Sequence, residues 1–197
     1  MKHDYLETSC WYRDIITDPY QVIAEFFSFA TIDFYRKRIK GMLLSIHRNK
    51  IYHKDAPGEV LFDFKMLESV INAAYLISKE KKQSPLIIGM NDLFNKNLYC
   101  GRHTNCDQWD YFPRTLSKKE YIDPYLTFKL FFKYQKLETW KQDLQTILSY
   151  ALAKNSDGVE LDLLSIYFHL TKLVEAAHLI DVREITHVGG FIKNRMK

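Results

Sequence analysis

The feature that most constrains the fold is an internal repeat. Asp18-Pro19-Tyr20 recurs as Asp123-Pro124-Tyr125, and a phenylalanine pair follows each copy at the same distance, Phe26-Phe27 and Phe131-Phe132. Apolar positions downstream keep this offset of 105 residues (18 to 123), and an Ala-Ala pair recurs at an offset of 103 (73 to 176). Because a unit of about 60 residues buries proportionally little surface and is only marginally stable alone, the two copies are expected to share a core.

Each copy is predicted to contain three helices. Aspartate accepts hydrogen bonds from free backbone N–H groups at a helix N-cap, and proline is well suited to the first helical position, so both Asp-Pro pairs predict helix starts. Apolar residues at 32, 35, 39, 42, 43 and 46 follow a helical period, and those at 137, 140, 144, 147, 148 and 151 keep the same register. The third helices are expected over about 59–78 and 160–180. The sequence therefore predicts an all-α protein of two tandem three-helix units, packed with pseudo-two-fold symmetry.

The predicted units lie within one compact domain, and an irregular insert joins them. The segments are an N-terminal stretch 1–17, repeat 1 at 18–80, the insert 81–122, repeat 2 at 123–182 and a basic tail 183–197. Within the insert, Ser117 and Glu120 have the spacing of a capping box. Since the phenylalanine pairs occur in both copies, truncating Phe27 or Phe132 to alanine is expected to cost about 3–5 kcal/mol.

Charge and cysteine content limit the classes of function. The formal net charge of +4 and pI of about 8.8 come from basic residues spread along the chain, whereas domains that bind nucleic acid usually cluster them. Three cysteines argue against a disulfide framework. The absence of a signal peptide and of an apolar run of about 18 residues predicts a cytoplasmic protein with no membrane contact.

One candidate binding surface lies on the second predicted helix of repeat 1. It consists of Arg36, Arg38 and Lys40, to which Arg48 and Arg102 in the following segments could add. At the four positions 141, 142, 143 and 145, which match 36, 37, 38 and 40, the second copy carries one lysine, two glutamines and one aspartate. The five basic residues are expected to form a mildly basic surface that binds an acidic partner, either a protein or a nucleic acid. The alternative is a solvated helix face, which the spread of the charges around the helix favours.

Arg48 and His53 form a candidate catalytic pair. Their spacing resembles the R-x4-6-H motif of HEPN-type helical ribonucleases. The resemblance implies that Arg48 would stabilise a phosphate oxyanion, that His53 would transfer a proton, and that a homodimer would bring two motifs together. It covers six residues, 48 to 53, and the equivalent stretch 153–158 lacks the motif. The alternative is a helix end, with Arg48 close to the negative end of the helix dipole and His53 in an exposed loop.

Two further patterns have the spacing of metal ligands. Cys100, His103 and Cys106 could supply three zinc ligands, but a structural zinc site takes four, so we expect no bound metal and no cofactor, and free thiols instead. Glu175 and His178 have the Glu-x-x-His spacing of di-iron bundles. The first copy carries asparagine and tyrosine at the matching positions 72 and 75, so the second half of such a site is missing, and His178 is expected at the edge of the core.

No catalytic arrangement therefore emerges with a complete set of residues. The sequence predicts a non-catalytic interaction or regulatory module, and function is expected where the two copies differ. The alternative is an RNA-binding protein or HEPN-like ribonuclease that uses Arg48 and His53.

Overall fold

A computed structural model describes residues 15–80, 87–100, 108–153, 160–188 and 191–192. The helices are α1 (Pro19–Phe29), α2 (Ile32–His47), α3 (Pro57–Lys79), α4 (Gln108–Tyr111), α5 (Lys118–Ile122), α6 (Pro124–Tyr134), α7 (Leu137–Leu152) and α8 (Leu163–Arg183). Two turns of 3₁₀ helix, Met90–Asp92 and Lys96–Leu98, lie before α4, and strands β1 (His187–Val188) and β2 (Phe191–Ile192) pair antiparallel after α8. The chain is therefore predominantly helical, as the sequence predicts.

Both Asp-Pro pairs begin helices, which confirms the capping prediction. Asp18 Oδ1 accepts a hydrogen bond from the Tyr20 backbone N–H at 2.9 Å, and Asp123 Oδ1 accepts one from Tyr125 at 3.1 Å. In each case the following proline is the first helical residue. These caps form because the carboxylate is only two residues away from the N–H groups that the helix leaves without a partner.

Substituting Asp123 with alanine is expected to lower the free energy of unfolding by about 1 kcal/mol, since the N-terminus of α6 would lose its side-chain acceptor. Asp123→Asn should restore most of the loss, because an asparagine oxygen can accept the same bond. Urea denaturation of the three proteins would test this. Equal stability of the alanine variant and the parent would show that water replaces the cap.

The first phenylalanine of each pair packs deep in the core against an aromatic ring of the next helix. Phe26 stacks on Tyr35 with ring centroids 3.7 Å apart, and Phe131 stacks on Trp140 at 4.1 Å. Tyr35 Oη donates to the Phe26 carbonyl at 2.9 Å, and Trp140 Nε1 donates to the Phe131 carbonyl at 3.3 Å. Each stacked pair thus fixes the angle between two successive helices.

The second phenylalanine of each pair is only partly buried, whereas the first is fully buried. We therefore expect the loss of about 3–5 kcal/mol on truncation at the first ring of each pair, and a smaller loss at Phe27 and Phe132. Phe27 packs edge-to-face on His178 with centroids 5.2 Å apart, and Phe132 packs edge-to-face on Tyr75 at 5.2 Å. Each ring therefore lies where a short helix meets a long helix of the other predicted unit.

The helices of the two predicted units interleave. Helix α1 packs on α3 and α6 packs on α8, but α2 packs mainly on α8 and α7, and α7 packs on α3. Buried apolar residues from Ile16 to Ile185 form one continuous core. Because each middle helix is covered by the other unit, neither unit encloses a core of its own.

Helix α8 runs through this core. Of the helices within the described ranges, it is the one long and apolar enough to cross a membrane by length and composition, and 61% of its apolar window is buried inside the protein. Burial of this kind is typical of a core helix that is covered by other helices. The predicted absence of membrane contact stays a prediction.

The described parts of the insert pack along α8. Helix α5 begins with the predicted capping box: the Ser117 N–H donates to Glu120 Oε2 at 2.8 Å, and the Glu120 N–H donates to Ser117 Oγ at 3.3 Å. A small second apolar cluster attaches the insert to α8, and its buried members are Tyr99, Cys100, Tyr121 and Leu179.

Candidate functional site

Arg36, predicted on the binding surface, lies inside the protein with 6% of its surface exposed. Its Nε is 3.0 Å from Oε1 of Glu175, which is 0% exposed, and its two terminal nitrogens donate to the carbonyls of Asp110 and Phe112, each at 2.9 Å. Placing Arg36 on a partner-binding surface was therefore wrong. The physical reason is that a buried carboxylate requires a counter-ion, and Arg36 supplies it across the α2–α8 contact.

Glu175 also holds the insert against the helices. It accepts hydrogen bonds from the backbone N–H groups of Arg114 (2.9 Å) and Thr115 (2.8 Å), and from the Thr115 hydroxyl (2.8 Å). One turn later, His178 Nε2 lies 2.6 Å from the Tyr99 carbonyl oxygen, so a ring nitrogen of this histidine is satisfied. The Glu-x-x-His spacing therefore anchors backbone groups of the insert. The signal for this role was an acid with two apolar residues on either side, Leu173-Val174 and Ala176-Ala177, in the middle of a helix.

Arg38 is also 6% exposed, so its predicted place on the binding surface was wrong as well. It forms ion pairs with Asp55 and with Asp63, the latter at 2.7 Å, and its guanidinium lies 4.9 Å from the centroid of the Phe34 ring. Burial raises the pKa of Asp63, and the nearby Arg38 offsets this only in part. Tyr52 Oη donates to Asp55 at 2.8 Å. Arg38 thus ties the loop after α2 to the start of α3.

Two of the five predicted surface residues, Lys40 and Arg48, are exposed. Arg102 lies outside the described residues. The acidic residues that form ion pairs with Arg36 and Arg38 lie in distant parts of the chain or in the loop that follows α2. The sequence of α2 by itself therefore gives no sign of these pairs. The structure therefore leaves a smaller basic surface than the sequence suggests.

A groove of about 410 Å³ lies beside Lys40, between the second half of α2 and the first turns of α8. Its walls are apolar, and they are formed by Leu43, Leu44, Leu163, Leu164 and Tyr167. Lys40 and His47 line it from the α2 side. Leu164 is 66% exposed, and Phe168, one turn further along α8, is also exposed. An apolar surface with a cationic edge therefore faces solvent here.

The exposed basic residues of α2 lie along one face of the helix. Lys37, Lys40 and His47 are three and seven residues apart, a spacing that follows the helical repeat, and Arg48 comes at the helix end. Lys37 is paired with Asp33 at 2.5 Å, whereas Lys40 and Arg48 form no ion pair with any described acid. The two free cations thus lie at the middle and the end of α2.

The candidate catalytic pair lies on the surface after α2. The Arg48 N–H donates to the Leu44 carbonyl at 3.1 Å and ends the helix, and Asn49 turns the chain with a left-handed φ of 49°. The side chains of Arg48 and His53 are exposed, and neither lines the groove. The Tyr52 N–H donates to the Ala151 carbonyl at 2.8 Å, which ties this loop to α7. The catalytic role remains a hypothesis.

The candidate zinc ligands fall largely outside the described residues, since His103 and Cys106 are not among them. Cys100 is fully buried and disulfide-bonded, so the expected free thiol was wrong for this residue. A disulfide sulfur has no thiolate to offer a zinc ion. Within the described ranges, no three His, Cys, Asp or Glu side chains cluster as a metal site would require.

No known protein-family model matches this chain, and no curated protein or solved structure is significantly similar to it. Its function must therefore be inferred from the chemistry of its own residues.

Proposed function

We propose that this protein is a non-catalytic interaction module that binds an acidic, amphipathic segment of a partner protein in the groove between α2 and α8. The observation that carries the proposal is the combination of an exposed apolar groove with cations along one edge. Two adjacent helices that leave such a groove are a common site for an amphipathic helix, whose apolar side chains enter the groove while its polar side stays in solvent.

Apolar exposure supports the proposal. On α8, Leu164 lines the groove and is 66% exposed, and Phe168, one turn further along, is exposed as well. Single exposed apolar residues are ordinary, but adjacent ones that border a groove mark interaction sites. Binding a partner would remove Leu164 and Phe168 from water, which is favourable.

Charge complementarity selects an acidic partner. Lys40 lines the groove and Arg48 lies just beyond it, and neither is neutralised by a described acid. The nearest acid along α8 is Asp162, which accepts hydrogen bonds from Ser165 as the N-cap of that helix. Acidic side chains of a bound segment could pair with Lys40 and Arg48, and such contacts weaken as salt is added.

A labelled synthetic peptide would test the proposal. The peptide should be helical, with leucines on one face and glutamates on the other, and a second peptide should carry glutamine in place of each glutamate. We expect fluorescence anisotropy to show binding of the acidic peptide, weaker binding of the neutral one, and a loss of about tenfold in the Lys40→Ala/Arg48→Ala variant. Leu164→Glu should abolish binding, because a carboxylate would enter the apolar groove.

A matched control variant, Lys129→Ala/Lys136→Ala, removes two exposed basic residues that lie elsewhere on the surface. This variant should bind the acidic peptide as tightly as the parent protein does. Equal binding of both peptides by the parent, or equal loss in the control and in the Lys40→Ala/Arg48→Ala variant, would rule out a specific basic edge. Failure of the acidic peptide to bind the parent would contradict the proposal outright.

The second candidate function is RNA binding or cleavage by Arg48 and His53. Exposure of both side chains in one loop, beside the basic face of α2, is the observation that favours it. If it holds, the protein should cleave single-stranded RNA, His53→Ala should lose the activity, and a homodimer should bring two motifs together. Cleavage that survives His53→Ala would show that His53 does not carry the activity.

We also propose that residues 18–78 and 123–180 are duplicated units related by a pseudo-two-fold axis. Two stacked ring pairs lie at matching positions of the units. Phe27 packs on His178 as Phe132 packs on Tyr75, and Tyr75 and His178 match at the offset of 103. The packing of α2 on α8 is likewise matched by that of α7 on α3. A crystal structure in which the two units did not superpose helix by helix would overturn this.

The cytoplasmic location inferred from the sequence stays a prediction, as does the absence of a cofactor. The disulfide at Cys100 weighs against a reducing compartment, because stable disulfides are rare in the cytosol. Two measurements would decide between the cytoplasm and an oxidising compartment. One is a count of the free thiols in protein purified without reductant, and the other is the location of the protein in fractionated cells.

A further inference from the structure

A second cavity, of about 520 Å³, lies between α5, α6 and α8. It shares no lining residue with the groove: on α8 the cavity is lined by His169 and Lys172, whereas the groove is lined by Leu163, Leu164 and Tyr167. Its volume falls within the range of small-molecule sites, which combine apolar walls with a few polar groups. Leu130 and Phe131 supply apolar wall in this cavity.

One side of the cavity is aromatic. The His169 ring stacks on Tyr134 with centroids 3.9 Å apart and an angle of 24°, and Phe131 and Trp140 approach it edge-on at 6.4 and 6.1 Å. Burial lowers the pKa of His169, and the neighbouring Lys172 lowers it further, while Glu120 offsets this only in part. At neutral pH the cavity therefore presents an uncharged imidazole, which can donate one hydrogen bond and accept another.

The charged groups of the cavity do not balance. Lys172 Nζ lies 2.9 and 2.8 Å from the two oxygens of Glu120, so this ammonium and carboxylate neutralise each other. Lys133 also lines the cavity and forms no ion pair with a described acid. Two ammonium groups against one carboxylate leave an excess of one positive charge, which matches a monoanion.

A buried hydroxyl in the cavity lining lacks a partner. Thr127 is 2% exposed, and its Oγ1 forms no hydrogen bond within the described part of the chain. Native proteins satisfy the great majority of buried polar atoms, so an exception calls for an explanation. A ligand oxygen accepting from this hydroxyl would provide one.

Packing alone does not require these polar groups. If the duplication holds, Val22 occupies the position that matches Thr127, while Met66 and Ser69 match His169 and Lys172. The same kind of helix contact is thus built in the first unit with no hydroxyl at the place of Thr127, no imidazole at that of His169 and no ammonium at that of Lys172. The polar set in the second unit therefore points to a ligand.

We propose that this cavity binds a small organic monocarboxylate, with its apolar body against Leu130 and Phe131 and its carboxylate held by Lys133, Lys172 and the Thr127 hydroxyl. A doubly charged phosphate is less suitable, because Glu120 would repel its second charge. The site is independent of the peptide groove, so either could fail without the other.

Benzoate and hexanoate would serve as carboxylate probes. Benzamide is the uncharged analogue of benzoate, and inorganic phosphate tests whether the cavity prefers a different anion. We expect calorimetry to detect at least one carboxylate, and NMR to show shifts of the His169 ring resonances. Binding of the matching amide should be weaker by about tenfold or more, since the charge-assisted contacts would be lost. Binding of phosphate in preference to both carboxylates, or no binding of either at about 10 mM, would overturn the proposal.

Three variants locate the site. Thr127→Val should keep or raise the melting temperature, because no internal hydrogen bond is lost, yet weaken the binding of the carboxylate. Lys133→Met should weaken it too, whereas Lys129→Met, which removes an exposed lysine one turn earlier on α6 and outside the cavity, should have no effect. Unchanged affinity in both Thr127→Val and Lys133→Met, or equal loss in Lys129→Met, would show that the carboxylate binds elsewhere.

Discussion

Replacing Glu175 with alanine is expected to lower the free energy of unfolding by about 3–5 kcal/mol, because it leaves a buried cation without its partner. Arg36 would keep only its two carbonyl acceptors. The backbone N–H groups of Arg114 and Thr115 would also lose the carboxylate that accepts from them. Chemical denaturation would give the loss, and hydrogen exchange should show reduced protection at residues 114 and 115.

The double variant Arg36→Met/Glu175→Met separates the ion pair from the rest of the site. It should lose less stability than the two single variants added together, since neither charge is left alone in the interior. Lys37→Ala is the control, because the Lys37 side chain is 75% exposed and its ion pair with Asp33 should contribute much less than the buried pair. A loss of less than about 1 kcal/mol in Glu175→Ala would mean that water reaches Arg36 and replaces the carboxylate.

Phe26→Ala and Phe131→Ala should each lower the free energy of unfolding by about 3–5 kcal/mol, the range for a fully buried phenylalanine. Both rings are almost completely buried, and each stacks on the aromatic side chain of the following helix. Phe27→Ala and Phe132→Ala should lose roughly 1–2 kcal/mol, because these rings are partly exposed and leave a smaller cavity. Urea denaturation of the four variants would measure the difference.

Phe29→Ala is the matched control for these substitutions, since this ring of α1 is mostly exposed. The stability of the Phe29→Ala variant should be close to that of the parent protein. Equal losses in Phe26→Ala and Phe27→Ala would show that burial does not determine the effect. In that case the second ring of each pair would contribute more to stability, by joining the predicted units, than its buried area predicts.

The positions of the helices could be predicted because they depend on nearby residues. The Asp-Pro caps and the Ser117–Glu120 capping box act within a single turn, and the 3.6-residue period of apolar residues is a property of each segment. Helix α8 begins at Leu163 instead of near residue 160, because Asp162 caps it through Ser165. Such ends shift by a few residues when a neighbouring acid provides an equally good cap.

The basic surface could not be predicted in the same way. The side chains of Arg36 and Arg38 leave α2 at positions beside the apolar face, where an arginine can be either solvated or buried. Which of the two occurs depends on whether a carboxylate is present in the interior. Glu175 is 139 residues further along the chain (36 to 175), so only the fold brings it to Arg36.

The sequence by itself determined a predominantly helical chain, the starts of α1 and α6, and the aromatic pairs that follow them, since caps and periodicity are local interactions. The tertiary structure alone decided which charged side chains are exposed to solvent and which form ion pairs in the interior. It also placed Leu164 beside Lys40 to form the groove, and Thr127 beside Lys133 and His169 to form the cavity. These groupings join helices that are distant in the chain, and only the burial of a shared core brings such helices together.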